Sequence, residues 1–438
     1  MNNNLKEINI SGVSDKLYYK KIDNGMEVYM IPNKNILNVY ATFTTKYGSV
    51  IDEFVPIGES KMIKVPKGVA HFLEHKVFEQ EKREQPFEFY SKSGTDCNAH
   101  TALNNTTYEF SGPNNFQENL EYLLDFVQNP YLTEKNVEKE KGIIEQELKM
   151  YLDDPFWAMY DGVRNNSFVN NPTKYPIGGT VESIYKINKN ILEKCYKTFY
   201  HPSNMFMVLT GNFDPEEAIT IIEVNQQKKK FNMKKEIKIK EYKENDEVVK
   251  ENEVVTKNIE MPKLSFAIKI NTKKINIESN YKLNIYISLI FNILFGVSSV
   301  FFEKMNNRKY LAMPVGIDKI RGGNHILMTL ICETNYPNKL VNEIRKVLDN
   351  IEIDNNDLEI YKRSLISGYI RNFDNIISLN ETVVDNIINY NKYNTNTIDI
   401  IRNLNINELY NVINSLDLSN TSVYTVLPPN FVEKAGEV

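Results

Sequence analysis

The sequence predicts an α+β protein built from two homologous α+β domains, each with a mixed or antiparallel sheet flanked by helices. Three observations predict this class. The first half opens with short alternating strand patterns and turns to helical patterns from Phe116 to Tyr200. A Lys- and Glu-rich stretch then interrupts the chain near its middle. Beyond it, the second half repeats the order of strands and helices of the first, which indicates an internal repeat.

The length sets the number of domains. At 438 residues, the chain exceeds what one hydrophobic core usually serves. We predict an N-terminal domain over 1–222 that carries the functional site, a charged linker over 223–258, and a C-terminal domain over 259–438 that is an inactive structural repeat. The linker assignment follows from its Lys and Glu content, which is typical of a solvated segment.

Composition narrows the classes of function and the compartment. A net charge of -5 leaves no basic patch for nucleic acid. Cys97, Cys195 and Cys332 lie far apart and are odd in number, so no disulfide framework is implied and the cytoplasm is the expected compartment. The first residues lack the apolar core of a signal peptide. Ser, Asn and Gly interrupt the apolar stretch 285–302, where we predict a buried core helix and no membrane span.

The first-half elements follow in order. Segments 17–22 and 26–31 flank Asn24-Gly25, which favours a hairpin with a type I′ turn. A helix is predicted to begin after Gly68. The remaining predictions are strands over 39–49, 96–101, 106–112 and 205–213, and a helix near 85–93.

Five residues on the helix after Gly68 carry the chemistry: His71-Phe72-Leu73-Glu74-His75. Positions three and four apart share one helix face, so His71 and His75 can both turn a ring nitrogen toward one metal ion. Glu74 lies on the same face, where it can act as a general base toward the attacking water. The H-x-x-E-H order is that of the inverzincins. The sequence therefore predicts a hydrolytic metal site.

A third ligand is expected because catalytic zinc sites usually have three protein ligands. Its best source is the helical pattern 137–155, which has two faces. One is predicted to be solvated and salt-bridged: Glu138, Lys141, Glu145 and Lys149. The other is apolar apart from two carboxylates: Glu140, Ile143, Ile144, Glu147 and Tyr151. Carboxylates on an apolar face need a partner, so we predict Glu147 as the third ligand and Glu140 as a supporting group behind the ligands.

The second half aligns with the first as a degraded copy. Residues 296–303 match 68–75 when the glycines are aligned, and 357–375 resembles 137–154. In this register the positions of His71, Glu74 and His75 are taken by Ser299, Phe302 and Glu303. We therefore predict that the second half keeps the frame without the metal site.

These motifs resemble the pitrilysin family of inverzincin metallopeptidases, and most of all its small bacterial members similar to mitochondrial processing peptidase. The resemblance rests on HFLEH (71–75), on GIIEQELKMYLDDP (142–155) and on the 72 residues from His75 to Glu147. It implies one half of a clamshell in which His71, His75 and Glu147 hold Zn²⁺. Glu74 would activate the attacking water, and Glu140 would support catalysis without binding the metal.

The resemblance also implies a seat for a peptide and a partner. The strand through Asn98, Ala99 and His100 matches the edge strand against which the substrate peptide lies, which is recognition by β-augmentation. Many family members carry, in the second half, an Arg followed seven residues later by a Tyr. This chain has Asn306 and Met313 at those places. A same-fold subunit, in a homodimer or a heterodimer, could supply the missing groups.

The expected function is that of a zinc-dependent endopeptidase that cleaves short or unfolded peptides. Processing of a leader peptide and general peptide turnover are the two roles that fit it. The alternative is a non-catalytic or partner-dependent peptide-binding subunit of a same-fold complex. The complete ligand set favours the enzyme, and the replaced Arg and Tyr favour the alternative.

Overall fold

The protein is described by a computed structural model over residues 5–231 and 236–433. Its strands are β1 Lys6–Asn9, β2 Lys16–Lys21, β3 Glu27–Pro32, β4 Val39–Thr45, β5 Glu53–Phe54, β6 Ile63–Lys64, β7 Asp96–Thr101, β8 Thr106–Gly112, β9 Met205–Gly211, β10 Asn252–Thr256, β11 Lys263–Asn271, β12 Gly316–Gly322, β13 His325–Glu333 and β14 Thr421–Leu427. Its helices are α1 Val69–Phe78, α2 Pro86–Ser91, α3 Phe116–Val127, α4 Glu134–Asp153, α5 Pro155–Ser167, α6 Val181–Ile184, α7 Lys189–Phe199, α8 Pro215–Gln227, α9 Asn280–Phe295, α10 Val300–Asn307, α11 Pro337–Asp349, α12 Asn355–Arg371, α13 Ile376–Tyr390, α14 Thr397–Arg402 and α15 Ile406–Ser415.

The chain forms two compact units, and both are discontinuous in sequence. The first comprises the described residues of Met1–Leu148, Pro176–Lys240 and Gly368–Asp399, and the second those of Lys149–Tyr175, Glu241–Ser367 and Ile400–Val438. The predicted domains, 1–222 and 259–438, are instead continuous. The difference arises because α5 packs on β11 and β14, whereas α13 packs on β9 and β4. Each half of the sequence thus contributes a helix to the other half's sheet, which helical periodicity alone does not reveal.

The first unit contains a seven-stranded mixed sheet in the order β1-β2-β3-β9-β4-β8-β7. β3 and β9 are parallel, and the other neighbours are antiparallel. β4 and β9 are buried along their whole length, as expected for central strands covered on both faces. One face packs against α13 through a shared apolar cluster. The sheet ends at β7, which carries the predicted substrate strand.

The second unit repeats this sheet with fewer strands. Its order is β10-β14-β11-β13-β12, and only β10 and β14 are parallel. The order reproduces β3-β9-β4-β8-β7 strand by strand, with the parallel pair at the same end. The predicted class, two related α+β domains with mixed sheets flanked by helices, is confirmed.

The predicted alignment of the two halves is wrong by one helix. In the first half α1 and α2 lie between β4 and β7, and in the second half α9 and α10 lie between β11 and β12. The counterpart of α1 is therefore α9, whereas the match of 296–303 with 68–75 paired α1 with α10. The short likeness misled because Gly68 precedes a helix and Gly296 caps the end of one. α9 contains no His, Cys, Asp or Glu, so the helix that corresponds to α1 has no counterpart of His71, Glu74 or His75.

The first hairpin is present, but its turn differs from the prediction. β2 and β3 are antiparallel neighbours. Gly25 has φ +92°, whereas Asn24 is not in the left-handed region. The Gly25 amide donates to the Ile22 carbonyl at 2.8 Å, and the Ile22 amide donates to the Met26 carbonyl at 3.0 Å. This is a type I turn followed by a glycine bulge, because a type I′ turn requires positive φ at both central residues.

The apolar stretch forms α9, as the prediction of a core helix requires. The segment Asn280–Asn307 is long and apolar enough to cross a membrane by length and composition, yet 56% of its most apolar window is buried in the structure. The buried side chains of α9 belong to the main apolar cluster of the second unit. α9 ends at Phe295 with Gly296 as its cap. The absence of a membrane span stays a prediction.

The predicted linker contains regular structure. α8 extends into it as far as Gln227, and β10 joins the second sheet. Glu244 is buried, with its Oε1 2.8 Å from the Lys269 ammonium. Residues 232–235 of the predicted linker lie outside the described residues. Charge content alone therefore did not identify this segment as one that is partly folded onto the second unit.

Candidate metal centre

α1 presents two imidazoles from adjacent turns of one helix face. The helix begins at Val69 after Gly68, whose φ of +88° is disfavoured for residues with a side chain. A Cβ at Gly68 would overlap the carbonyl oxygen of Gly178. The rings of His71 and His75 meet edge to face with their centroids 4.6 Å apart. The start of the helix and the spacing of its histidines thus set the direction in which both rings point.

Glu147 on α4 completes a group of three. Its Oε1 is 3.5 Å from Nε2 of His71, and its Oε2 is 3.3 Å from Nε2 of His75. Within the described residues these three side chains form a group able to hold a metal ion, with one ligand atom of each within 4.8 Å of the others. Zinc bonds of about 2.0–2.1 Å in a tetrahedron separate neighbouring ligand atoms by about 3.3–3.4 Å. The donor set and its spacing therefore fit zinc.

Glu140 contacts His75 on the ring nitrogen that faces away from the three-residue group. Its Oε1 is 3.1 Å from His75 Nδ1, and its Oε2 is 3.3 Å from the ammonium of the fully buried Lys76. A carboxylate on the second nitrogen of a histidine ligand fixes the ring's tautomer and orientation. The structure thus places Glu140 where it supports His75 and does not meet the metal position.

The charges around His75 favour a cation. Burial alone would lower the pKa of His75, but its hydrogen bonds with Glu140 and Glu147 outweigh burial and raise this pKa to about 9. Burial likewise opposes ionisation of Glu140, but the contacts with His75 and Lys76 hold the pKa of Glu140 below its ordinary value. The centre therefore stabilises positive charge at His75, which is either a proton or a metal ion.

Glu74 is adjacent to His75 in sequence but stands outside the three-residue group. Its Oε2 accepts a hydrogen bond of 2.6 Å from Oγ1 of Thr101, at the end of β7. The prediction did not include Thr101. Strand alternation places Thr101 on the same face as Ala99, two residues earlier, but does not link that face to Glu74. Lys76 was also missed, and no sequence signal distinguishes this buried lysine from a solvated one.

The predicted substrate strand is the edge strand β7. It pairs with β8 on one side, and within the described part of the chain no strand pairs with its other side. Exposure alternates along it: Asn98 and His100 are exposed, and Ala99 is partly buried. His100 Nδ1 lies 3.7 Å from Glu109 Oε2. Ala99 therefore shares the face of Thr101, whereas Asn98 and His100 project from the opposite face.

The exposed and buried faces of α4 differ from the prediction, although Glu140 and Glu147 both lie beside the histidines of α1, as predicted. Lys141 is buried, while Ile143 is 49% exposed. Lys141 can be buried because its ammonium pairs with Glu138 and donates to the Tyr185 carbonyl at 3.4 Å, while its long stem packs along apolar surface. Glu140 and Glu147 are largely buried because they face the histidines of α1, and not because they lie in an apolar stripe.

The second-half positions discussed above lie in the second unit. Asn306 belongs to α10, and Met313 is 48% exposed. Arg308, close by in sequence, has a guanidinium nitrogen 3.7 Å from Glu343. Tyr310 is buried, with its ring centroid 4.7 Å from that of Tyr336. Arg308 and Tyr310, the Arg and Tyr nearest in sequence to Asn306 and Met313, thus make their contacts within their own unit.

Comparison with known proteins identifies the family. Residues 54–181 match the family described as insulinase (peptidase family M16), and residues 186–365 match the peptidase M16 inactive domain. The match of the second half to an inactive domain agrees with the absence of metal ligands from α9.

Relatives and solved structures extend the likeness over nearly the whole chain. The chain is 41% identical over 345 residues to the uncharacterised zinc protease YmfH of Bacillus subtilis, covering 78% of the chain and 80% of YmfH. It is 27% identical over 179 residues to the mitochondrial-processing peptidase subunit beta of Caenorhabditis elegans, covering 40% of the chain and 39% of that subunit. The crystal structure of an M16-like peptidase from Alicyclobacillus acidocaldarius superposes with a TM-score of 0.88 at 27% identity, covering 95% of this chain and 99% of that one. The predicted resemblance is confirmed: this chain belongs to peptidase family M16, the insulinase and pitrilysin family of zinc proteases.

Proposed function

We propose that this protein is a zinc-dependent endopeptidase that cleaves short or unfolded peptides. One observation carries the proposal: His71, His75 and Glu147 converge at zinc-ligand spacing, with Glu74 held beside them and outside the ligand group. A purely structural zinc site has no use for a further carboxylate kept free of the metal. Such sites are usually closed by four protein ligands, whereas catalytic ones keep a position open.

Each side chain has a distinct task in the proposed reaction. His71, His75 and Glu147 hold the metal, which when bound polarises the scissile carbonyl and lowers the pKa of the attacking water. Glu74 takes the proton from that water and passes it to the leaving amine. Glu140 keeps His75 in the orientation and tautomer that present Nε2. The tasks require three ligands, one base and one orienting group, and each is supplied by a different side chain.

The peptide is proposed to bind in extended form along β7. An edge strand offers unpaired amide and carbonyl groups to a peptide backbone, so affinity depends little on the peptide's sequence. Asn98, Ala99 and His100 would then line the bound peptide. Because Thr101 of the same strand contacts Glu74, this seat places the peptide next to the base.

The biological role, the partner and the compartment are further parts of the proposal. The relative named as a mitochondrial-processing peptidase subunit supports removal of leader peptides by a same-fold pair, and general peptide turnover is the other role. We propose a homodimer or heterodimer for the same reason, since Asn306 and Met313 leave two substrate-orienting groups to be supplied. Free Cys97, Cys195 and Cys332 support a cytoplasmic location.

The competing function is a peptide-binding subunit without turnover. Asn306 and Met313 favour it, because the groups that other members are expected to use near the zinc are replaced. The two functions differ in one measurable property: only the endopeptidase cleaves peptides in a reaction that requires Glu74.

The test is cleavage of a mixture of peptides, followed by mass spectrometry, with the chain alone and with a same-fold protein encoded beside it. Glu74→Gln should retain zinc and lose cleavage, because the neutral amide of glutamine cannot act as a general base. Glu134→Gln is the matched control, since Glu134 is an exposed glutamate in the first turn of the same helix, α4. The endopeptidase function would be contradicted if the wild type cleaved no faster than Glu74→Gln, both alone and with the same-fold protein. Only the peptide-binding function would then remain.

A further inference from the structure

The edge strand and the proposed base are joined by one short hydrogen bond. Thr101 Oγ1 donates to Glu74 Oε2 at 2.6 Å. A hydroxyl bonded to a carboxylate at about 2.5–2.7 Å is a charge-assisted hydrogen bond, roughly twice as strong as a neutral one. Glu74 is thus tied at one oxygen to the strand opposite its helix.

Thr101 is itself held in place by the sheet. It pairs with Thr106 across β7 and β8, and the two hydroxyl oxygens are 3.4 Å apart. Thr106 is fully buried and donates to the Tyr47 carbonyl at 2.9 Å. The neighbouring hydroxyls of Tyr108 and Tyr200 are 2.8 Å apart and also buried. The hydroxyl that holds Glu74 therefore adjoins a buried, hydrogen-bonded part of the sheet.

We propose that Thr101 is the positioning residue for Glu74 in the peptidase reaction, an inference that rests on the function proposed above. A glutamate on a helix surface samples several rotamers, whereas a general base has to lie within about 2.6–3.2 Å of the proton that it takes. Anchoring Oε2 fixes the carboxylate and leaves Oε1 to face the attacking water.

The same bond couples the base to the peptide seat. A peptide added along β7 has its register set by the backbone of this strand. The side chain of Thr101, which continues the strand, sets the place of Glu74. One strand thereby determines both where the scissile bond lies and where the base stands. Pairing of the peptide with β7 would therefore align the scissile bond with Glu74. Such alignment of reacting groups raises the rate of reaction by large factors.

The test compares Thr101→Val, Thr101→Ser and the control Thr44→Val, all in the full-length zinc-loaded protein. Valine keeps the shape of threonine and removes the donor, while serine keeps the donor. Thr44 is buried in the same sheet, and its hydroxyl pairs with Thr107 at 2.9 Å. Thr44→Val therefore removes a comparable hydroxyl away from Glu74. For each variant we would measure zinc content, kcat and KM for a cleaved peptide, and calorimetric affinity for a peptide hydroxamate, which chelates the metal and hydrogen-bonds to the general base without turnover.

Thr101→Val should lower kcat by about 10- to 100-fold, as loss of a supporting hydrogen bond typically does, with KM and zinc content close to wild type. Hydroxamate affinity should fall by about tenfold or more. Thr101→Ser should restore both, and Thr44→Val should leave both unchanged. Wild-type kcat and hydroxamate affinity in Thr101→Val, or failure of serine to restore them, would overturn the role of Thr101 alone. A wild type that neither binds zinc nor cleaves peptides would overturn the proposed function and this inference together.

Discussion

At the residue scale, the candidate metal centre depends on the side chains that contact its histidines on the nitrogen facing away from the metal position. His75 is contacted on both ring nitrogens, by Glu147 on Nε2 and by Glu140 on Nδ1. Nδ1 of His71 is buried and, among the described residues, has no hydrogen-bond partner. Of the two imidazoles, it is therefore that of His75 which has a carboxylate, Glu140, on its second nitrogen.

Changing Glu140 to glutamine should weaken zinc binding and leave the ligands themselves intact. The neutral amide no longer favours the Nδ1–H tautomer of His75, and the loss of such a partner typically costs about 10- to 100-fold in metal affinity. Competition against a chelator measures the change. Glu134→Gln, at an exposed position in the first turn of the same helix, should behave as wild type. Unaltered affinity in Glu140→Gln would show that Glu140 has no part in holding His75.

The raised pKa of His75 gives the metal-free protein a defined pH dependence. The folded-state pKa of about 9 lies above the ordinary value of 6.5, so protonated His75 stabilises the folded state. This contribution is fully present below about pH 6.5 and is lost as the pH rises through about 9. Thermal unfolding of the metal-free protein from pH 6 to 10 should show the loss, and His75→Gln should remove that part of the pH dependence. Identical profiles for the two proteins would contradict the ion pairs seen here.

At the scale of the elements, the histidines depend on where α1 begins. Gly68→Ala should destabilise the protein by about 1–3 kcal/mol, a typical cost of forcing atoms into a packed site, and should reduce zinc binding by displacing the first turn. The control is Gly142→Ala on α4, where a Cβ would meet nothing within 4 Å and alanine favours the helix. Chemical denaturation and zinc titration of both variants check this. Equal stability and zinc affinity in the two variants would mean that the approach of Gly68 to Gly178 is not needed.

The elements also show which inferences the sequence supports. Helical spacing was enough to bring His71 and His75 together, because i and i+4 positions share a face whatever the helix packs on. The position of Glu147 beside both histidines was predicted, although the argument from an apolar stripe was only partly right, since Ile143 is exposed and Lys141 is buried. Thr101 could not be assigned to Glu74, because that contact depends on how a helix is placed against an edge strand.

The repeat illustrates the same limit. A run of eight similar letters paired 296–303 with 68–75, yet element order pairs α9 with α1. Strand order is decided by long-range pairing, which a local match does not record. The exchange of α5 and α13 between the two sheets also depends on tertiary packing. The fold class and the grouping of His71, His75 and Glu147 were thus predictable, whereas domain composition and register were not.

At the scale of the whole molecule, a buried ion pair fastens the segment between the two halves to the second unit. The side chains of Glu244 and Lys269 are 2% and 0% exposed. Glu244 also accepts hydrogen bonds from the backbone amides of Val169, Asn170 and Asn171. The segment that composition assigned to a linker is thus part of the folded core of that unit.

Lys269→Met should therefore destabilise the protein strongly. Removing the lysine leaves the buried Glu244 carboxylate without its counter-charge, and breaking a buried ion pair in this way typically costs about 3–5 kcal/mol. The control is Lys250→Met, which breaks the more exposed pair with Glu253 and should cost less than about 1 kcal/mol. Chemical denaturation followed by circular dichroism compares the two variants. A loss no larger in Lys269→Met than in the control would contradict the structural role of the pair.

The central claim is that His71, His75 and Glu147 form a zinc centre, and metal analysis tests it most directly. Wild-type protein and Glu147→Gln would be loaded with zinc, dialysed and analysed by mass spectrometry for metal per chain. We predict one zinc per chain in the wild type and a large loss in Glu147→Gln, since one of three protein ligands is removed. A wild type without zinc, or a Glu147→Gln variant that keeps the full amount, would contradict the account.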